Sequence, residues 1–101
     1  MATTTKVLFR GAATTTTSTT LYTVPAATTA VVTNIAATNT SASDATFTLS
    51  LGGSELQNAT TVPANTTAYI DLKQVLDATD TIQGGASATD VTFHISGVEI
   101  S

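Results

Sequence analysis

Residues 46–51 read Thr-Phe-Thr-Leu-Ser-Leu, a strict alternation of hydroxyl and large apolar side chains. Successive side chains on a β-strand point to opposite faces, so this stretch gathers Phe47, Leu49 and Leu51 on one side only when extended. A helix would scatter them around its axis. Val91, Phe93 and Ile95 alternate with Thr92, His94 and Ser96 in the same way, and Ala68, Ile70 and Leu72 alternate with Tyr69 and Asp71. Gly97 interrupts the second pattern, and Val98 and Ile100 resume it one position out of phase, as a β-bulge would. Less sharply patterned strands are expected near 6–10, 19–24, 29–38, 55–61 and 80–83.

The separators are turn formers: Gly11, Pro25, Ser41 to Asp44, Gly52-Gly53, Pro63 to Asn65 and Gly84-Gly85. Only LKQVLDA, residues 72–78, has helical spacing, and it is long enough for one turn. Residues 12–20 hold no apolar side chain larger than Ala and are expected to form a loop or an extended arm lying on a neighbour. No alternation of strand and helix occurs. The expected fold is all-β: an antiparallel β-sandwich, jelly-roll-like, with about seven to eight short strands in one domain spanning 1–101. Residues 1–18 would be its N-terminal edge strand or arm, and removing them is expected to leave the sandwich folded.

The chain echoes itself twice. Val24-Pro25-Ala26 and Thr28-Thr29-Ala30 match Val62-Pro63-Ala64 and Thr66-Thr67-Ala68, while Asp44-Ala45-Thr46-Phe47 resembles Asp90-Val91-Thr92-Phe93. Two readings stand open. One is an internal pseudo-twofold repeat; the other is reuse of the same turn chemistry, in which Pro fixes φ and Thr fills the strand that follows.

Charged residues make up 10% of the chain, against roughly 25% in ordinary soluble proteins, while about a quarter of the residues are Thr. The solvated surface is therefore mostly neutral hydroxyl and amide. Lys6, Arg10 and Lys73 face seven acidic residues, for a net charge of -4. Nucleic acid is excluded as a partner, because phosphate neutralisation needs several clustered cations. Cysteine is absent, which removes disulfides, thiolate metal sites and a Cys nucleophile together. No apolar run has the length of a membrane span, and the first residues carry no apolar stretch of the secretory type. Neither a membrane partner nor a signal peptide is expected.

Nothing in the sequence assembles a reaction. His94 is the sole histidine, and hydroxyls are so frequent that a Ser or Thr beside it carries no information about a triad. Glu55, Asp77, Asp80, Asp90 and Glu99 are oxygen ligands in type, but no calcium-loop spacing joins them, and Asp at strand starts commonly caps turns. No phosphate-cradling glycine motif occurs. Asn39-Thr40-Ser41, Asn58-Ala59-Thr60 and Asn65-Thr66-Thr67 fit the glycosylation pattern at the rate that a Ser/Thr-rich chain produces by chance. Flat Thr arrays for ice or glycan surfaces need a fixed coil period, and these Thr come in runs whose neighbours point to opposite faces. The expectation is a non-enzymatic protein without catalytic residues, metal or cofactor.

The full-length texture, with the block LYTVPAATTAVVTNIAATNTSASDATFTLSLGG and the terminus DVTFHISGVEIS, resembles the small Thr/Ala-rich β-sandwich virion proteins of tailed bacteriophages, above all capsid decoration (cement) proteins. The resemblance implies a structural protein that binds the outside of a phage head, commonly as a homotrimer, with the major capsid protein as partner. It also implies a virion location after synthesis in the host cytoplasm. Tail, head-fibre and connector proteins, some binding host surfaces, have similar sequences and form the alternative. Lys6, Val7, Leu8, Phe9 and Arg10 are the candidate contact residues, because three consecutive apolar side chains on an edge strand leave at least one exposed for another chain. Their other reading is simply the first strand of the sandwich.

Overall fold

The computed structural model describes residues 3–101. Eight strands follow one another: β1 (Thr3–Ala12), β2 (Thr20–Thr23), β3 (Thr29–Asn39), β4 (Ala45–Leu51), β5 (Ser54–Val62), β6 (Thr66–Leu76), β7 (Thr81–Ala86) and β8 (Val91–Ile100). Sheet A has the order β1-β8-β3-β6 and sheet B the order β2-β7-β4-β5. Every pairing is antiparallel. All connections but one cross between sheets, which is the eight-stranded jelly roll, and the sandwich expected from the alternation is present.

The exception is the β4–β5 hairpin. Leu51 pairs with Ser54, and the intervening Gly52 and Gly53 have φ of 59° and 84°. Two consecutive residues with positive φ make the tight turn whose twist matches that of the strands it joins.

Alternation puts one layer of side chains between the sheets. Phe47, Leu49 and Ile82 from sheet B meet Ile35, Phe93 and Ile95 from sheet A, all essentially without exposure. The Phe47 and Phe93 rings pack edge to face, 5.9 Å apart at 69°. Asn39, fully buried, spends all its hydrogen-bonding capacity. Its Nδ2 donates to the Ser43 and Val62 carbonyls at 2.8 and 3.1 Å, and its Oδ1 accepts from the Ser41 N–H and hydroxyl at 3.0 and 2.8 Å. This amide ties the β3–β4 connection to the end of β5 and is not accessible as a glycosylation site.

Expectations are corrected at several points, beginning with Gly11, which pairs with Phe93 inside β1 and separates no strands. LKQVLDA forms no helical turn, since residues 72–76 complete β6, with Leu76 inward and Val75 outward. Gly84-Gly85 is not a turn but the middle of β7. A Cβ on Gly85 would stand 2.3 Å from the Thr16 carbonyl oxygen, and one on Gly84 would stand 2.6 Å from that of Thr48, so these glycines permit close backbone approach. The chain on Gly85 is the Thr-rich segment after β1. Its Thr14 and Thr19 carbonyls accept the Ala86 and Gly84 N–H groups at 2.8 and 2.9 Å, and Ala13 is buried. Residues 13–19 thus form a loop, the first of the two expected readings, and lie on their own sheet B.

The two echoes separate. Both Val-Pro-Ala stretches are arches from sheet B to sheet A, entering β3 and β6. Each has a buried Val and, at matching positions, a left-handed residue: Ala27 at φ 58° and Asn65 at φ 56°. Three strands separate these arches, whereas the two Asp-x-Thr-Phe strands, β4 and β8, lie four apart. One duplication matches both spacings only with β7 as an addition to the second half, and it would carry the Asp-x-Thr-Phe strand from sheet B to sheet A. The Pro echo places the same turn chemistry in both arches, and the Phe echo supplies the two rings that meet in the core.

Strand β1 is integral to the sandwich. It covers β8 along its length and contributes buried Leu8. Removing residues 1–18 is therefore expected to abolish cooperative thermal unfolding, contrary to the reading of this segment as a dispensable arm; a sharp, near-native circular-dichroism transition would contradict this. Phe47→Ala is expected to cost about 3–5 kcal/mol in denaturant unfolding.

Candidate functional site

Sheet A carries a line of irregular pairing across all its strands. Gly97 and Ser96 are consecutive in β8, but their partners Val32 and Asn34 in β3 bracket the extra residue Thr33. On the other side of β8, Val7 pairs with Ser96 and Phe9 with Ile95, leaving Leu8 as the extra residue of β1. In β6 the partners of Val32 and Asn34 are Gln74 and Asp71, with Leu72 and Lys73 between. One extra residue inverts which parity faces inward. Ala30 and Val32 are buried before Thr33, and Ile35 and Ala37 after it. The out-of-phase pattern noted at Gly97 lies at this level, with the extra residues in the neighbours of β8.

The inversion turns Val7 of β1 and Val31 of β3 onto the outer face, where the plain alternation of β6 and β8 adds Val75 and Val98. Val31 pairs with Val75 and Val98, and all three point away from the core beside Val7. Val75 is 63% exposed, Val7 46% and, one row beyond the bulge, Tyr69 73%. Depressions of about 460 and 390 Å³ open along the line. The first is lined by Thr33, Asp71, Leu72 and Lys73; the second by Thr33 with residues of β1 and β8, and Thr33 is common to both.

The segment Lys6 to Arg10 is divided by its bulge. Val7 and Arg10 face outward; Leu8 is buried and Phe9 packs against the core. Lys6 turns to the end of the sandwich, where its Nζ lies 3.3 Å from a Glu99 carboxylate oxygen. Glu99 also accepts a hydrogen bond from the Tyr22 hydroxyl, which reaches over from β2. This cluster links sheet A to sheet B, and sequence alone did not reveal it, because its three members are polar residues far apart in the chain.

The Tyr22 hydrogen bond is the largest cause holding the Glu99 carboxyl below its ordinary pKa; the bond and charge of Lys6 add, and partial burial opposes. Burial, then the hydrogen bond and charge of Glu99, push the Tyr22 hydroxyl above its ordinary value.

His94 sits on the outer face of sheet A between Arg10 and Ala36, so its directly opposite neighbours are neither a nucleophile nor a carboxylate. The acidic residues are dispersed. Asp44 accepts the Ala64 N–H and Asp80 the Asp77 N–H, both at 3.0 Å, as turn caps. Among the described residues, no three His, Asp or Glu side chains gather as a metal site would require. Among the described residues, no helix is long and apolar enough to cross a membrane.

The lowered pKa of Glu99 sets the sign of one pH dependence. The stability it contributes is present above the ordinary value of 4.5 and is lost as pH falls through the lower folded value. Tyr22, with its raised value, contributes stability that is lost only in strong alkali. Thermal midpoints measured from pH 7 to pH 3 should fall less steeply below about pH 4.5 for Glu99→Gln than for the parent; parallel curves would contradict this.

Compared with known protein families and with curated proteins, the chain matches none.

Proposed function

We propose that the protein is a structural virion component: a decoration protein that binds the outer surface of a phage head, with the major capsid protein as partner and a homotrimer as its own assembly. The observation that carries this reading is the contrast between the two sheet faces. A jelly roll clothed almost entirely in hydroxyl and amide groups presents, among the described residues, exposed Val7, Val75 and Tyr69 on sheet A alone. Apolar groups clustered on an otherwise polar surface mark an interaction site. A protein whose task is attachment needs such a surface on a rigid scaffold and no reacting group, and repetition on a shell multiplies weak contacts.

Because jelly rolls host many functions, the fold by itself does not select this one. The texture of the sequence, described above, directs the reading to phage particles. Quantitative mass spectrometry of purified particles tests it. Hundreds of copies are expected; a dozen or fewer would assign the protein to a tail, head fibre or connector, and absence from the particle would overturn both roles.

A further inference from the structure

The charges are sorted by sheet. All three cations lie in sheet A, Lys6 and Arg10 in β1 and Lys73 in β6. Of the seven acidic residues, only Asp71 and Glu99 share that sheet; the other five lie in β5 or in connections. Glu99 is occupied with Lys6 and Tyr22. Arg10, outward by register, and Lys73, exposed in the irregularity of β6 beside Asp71, make no ion pair among the described residues. The one apolar face of a net-negative protein is therefore also its most basic one.

We propose that the outer face of sheet A is the docking surface and that its partner there is an acidic protein surface with an apolar centre, presented in many copies by the shell. This rests on the decoration reading and assigns its contact face. Val31 and Val98 in the inner strands supply the buried centre, Val7 and Val75 extend it to the edge strands, and Arg10 and Lys73 on those edge strands supply the charged rim.

Area and charge favour such a partner over a second copy. Four strands spaced about 4.8 Å apart, with a rise of about 3.3 Å per residue, give a face of about 600 Å². Two copies packed face to face would bury about 1,200 Å², the lower limit for a stable interface, and would bring unpaired cations together. The same modest area suits attachment repeated over a shell. A glycan is disfavoured by the aromatic inventory. Phe47 and Phe93 are in the core, Phe9 packs against it, Tyr22 bonds Glu99, and Tyr69 alone is left for stacking.

Co-sedimentation of the full chain with particles lacking it tests the proposal. Val7→Asp with Val75→Asp, both at exposed positions, should weaken binding about tenfold or more. Lys73→Glu should weaken binding and flatten its salt dependence. Thr61→Asp, on the outer face of sheet B, should change neither. A parent chain that does not bind particles would overturn the decoration reading and this assignment with it. If the parent and the double variant bind alike, the assignment alone is overturned. Retention on a glycan array lost in the double variant, or a concentration-dependent dimer abolished by Val75→Asp in sedimentation, would replace the shell with a glycan or a second copy and likewise overturn it.

Discussion

The structure depends on the close passage of three strands at Gly97. The Val31 carbonyl oxygen of β3 and a Leu8 methyl of β1 lie 2.3 and 3.0 Å from where a Cβ would stand on that residue, so only glycine lets β8 run straight between two bulged neighbours. From that contact follow the inversion of parity in β1 and β3, the inward turn of Leu8 and the outward turn of Val7 and Val31. The core and the outer face of sheet A are two consequences of one backbone approach.

Legibility in the sequence followed the range of the interactions. Strands β4 and β8 were readable because their alternation is unbroken over six residues, and the Gly52-Gly53 hairpin because two adjacent glycines suffice for its geometry. The end of β6 was misread as helical. Leu72 and Leu76 face inward four residues apart, with Gln74, itself exposed, between them and Val75 turned out, which imitates helical spacing. Gly84-Gly85 was misread as a turn because what it accommodates, the Thr16 carbonyl, comes from nearly seventy residues away.

The candidate surface was legible in the same partial way. Val-Leu-Phe at 7–9 announced that something apolar would be left outside an edge strand, and Val7 is. That Val31, Val75 and Val98 join it is a fact of lateral register across four strands, which no single stretch records. The ionic cluster of Lys6, Glu99 and Tyr22 is similarly hidden. It takes the first residue of the predicted contact segment out of the outer face and uses it to fasten the sheets together. The surface that results is small, apolar at its centre and basic at its rim, on a protein that is otherwise neutral hydroxyl or acidic. Binding by such a surface draws on rigidity, since each side chain on it is held by a strand paired within the sheet.

The claim that the Gly97 passage governs sheet A is tested most directly by comparing thermal unfolding of Gly97→Ala and Gly11→Ala. The new methyl at Gly11 would meet only the Phe9 ring, 3.4 Å away or more. Overpacking at Gly97 should cost about 1–3 kcal/mol and lower the midpoint by about 5 °C or more, with the Gly11 variant unchanged or slightly raised. Equal midpoints for the two variants would contradict the account.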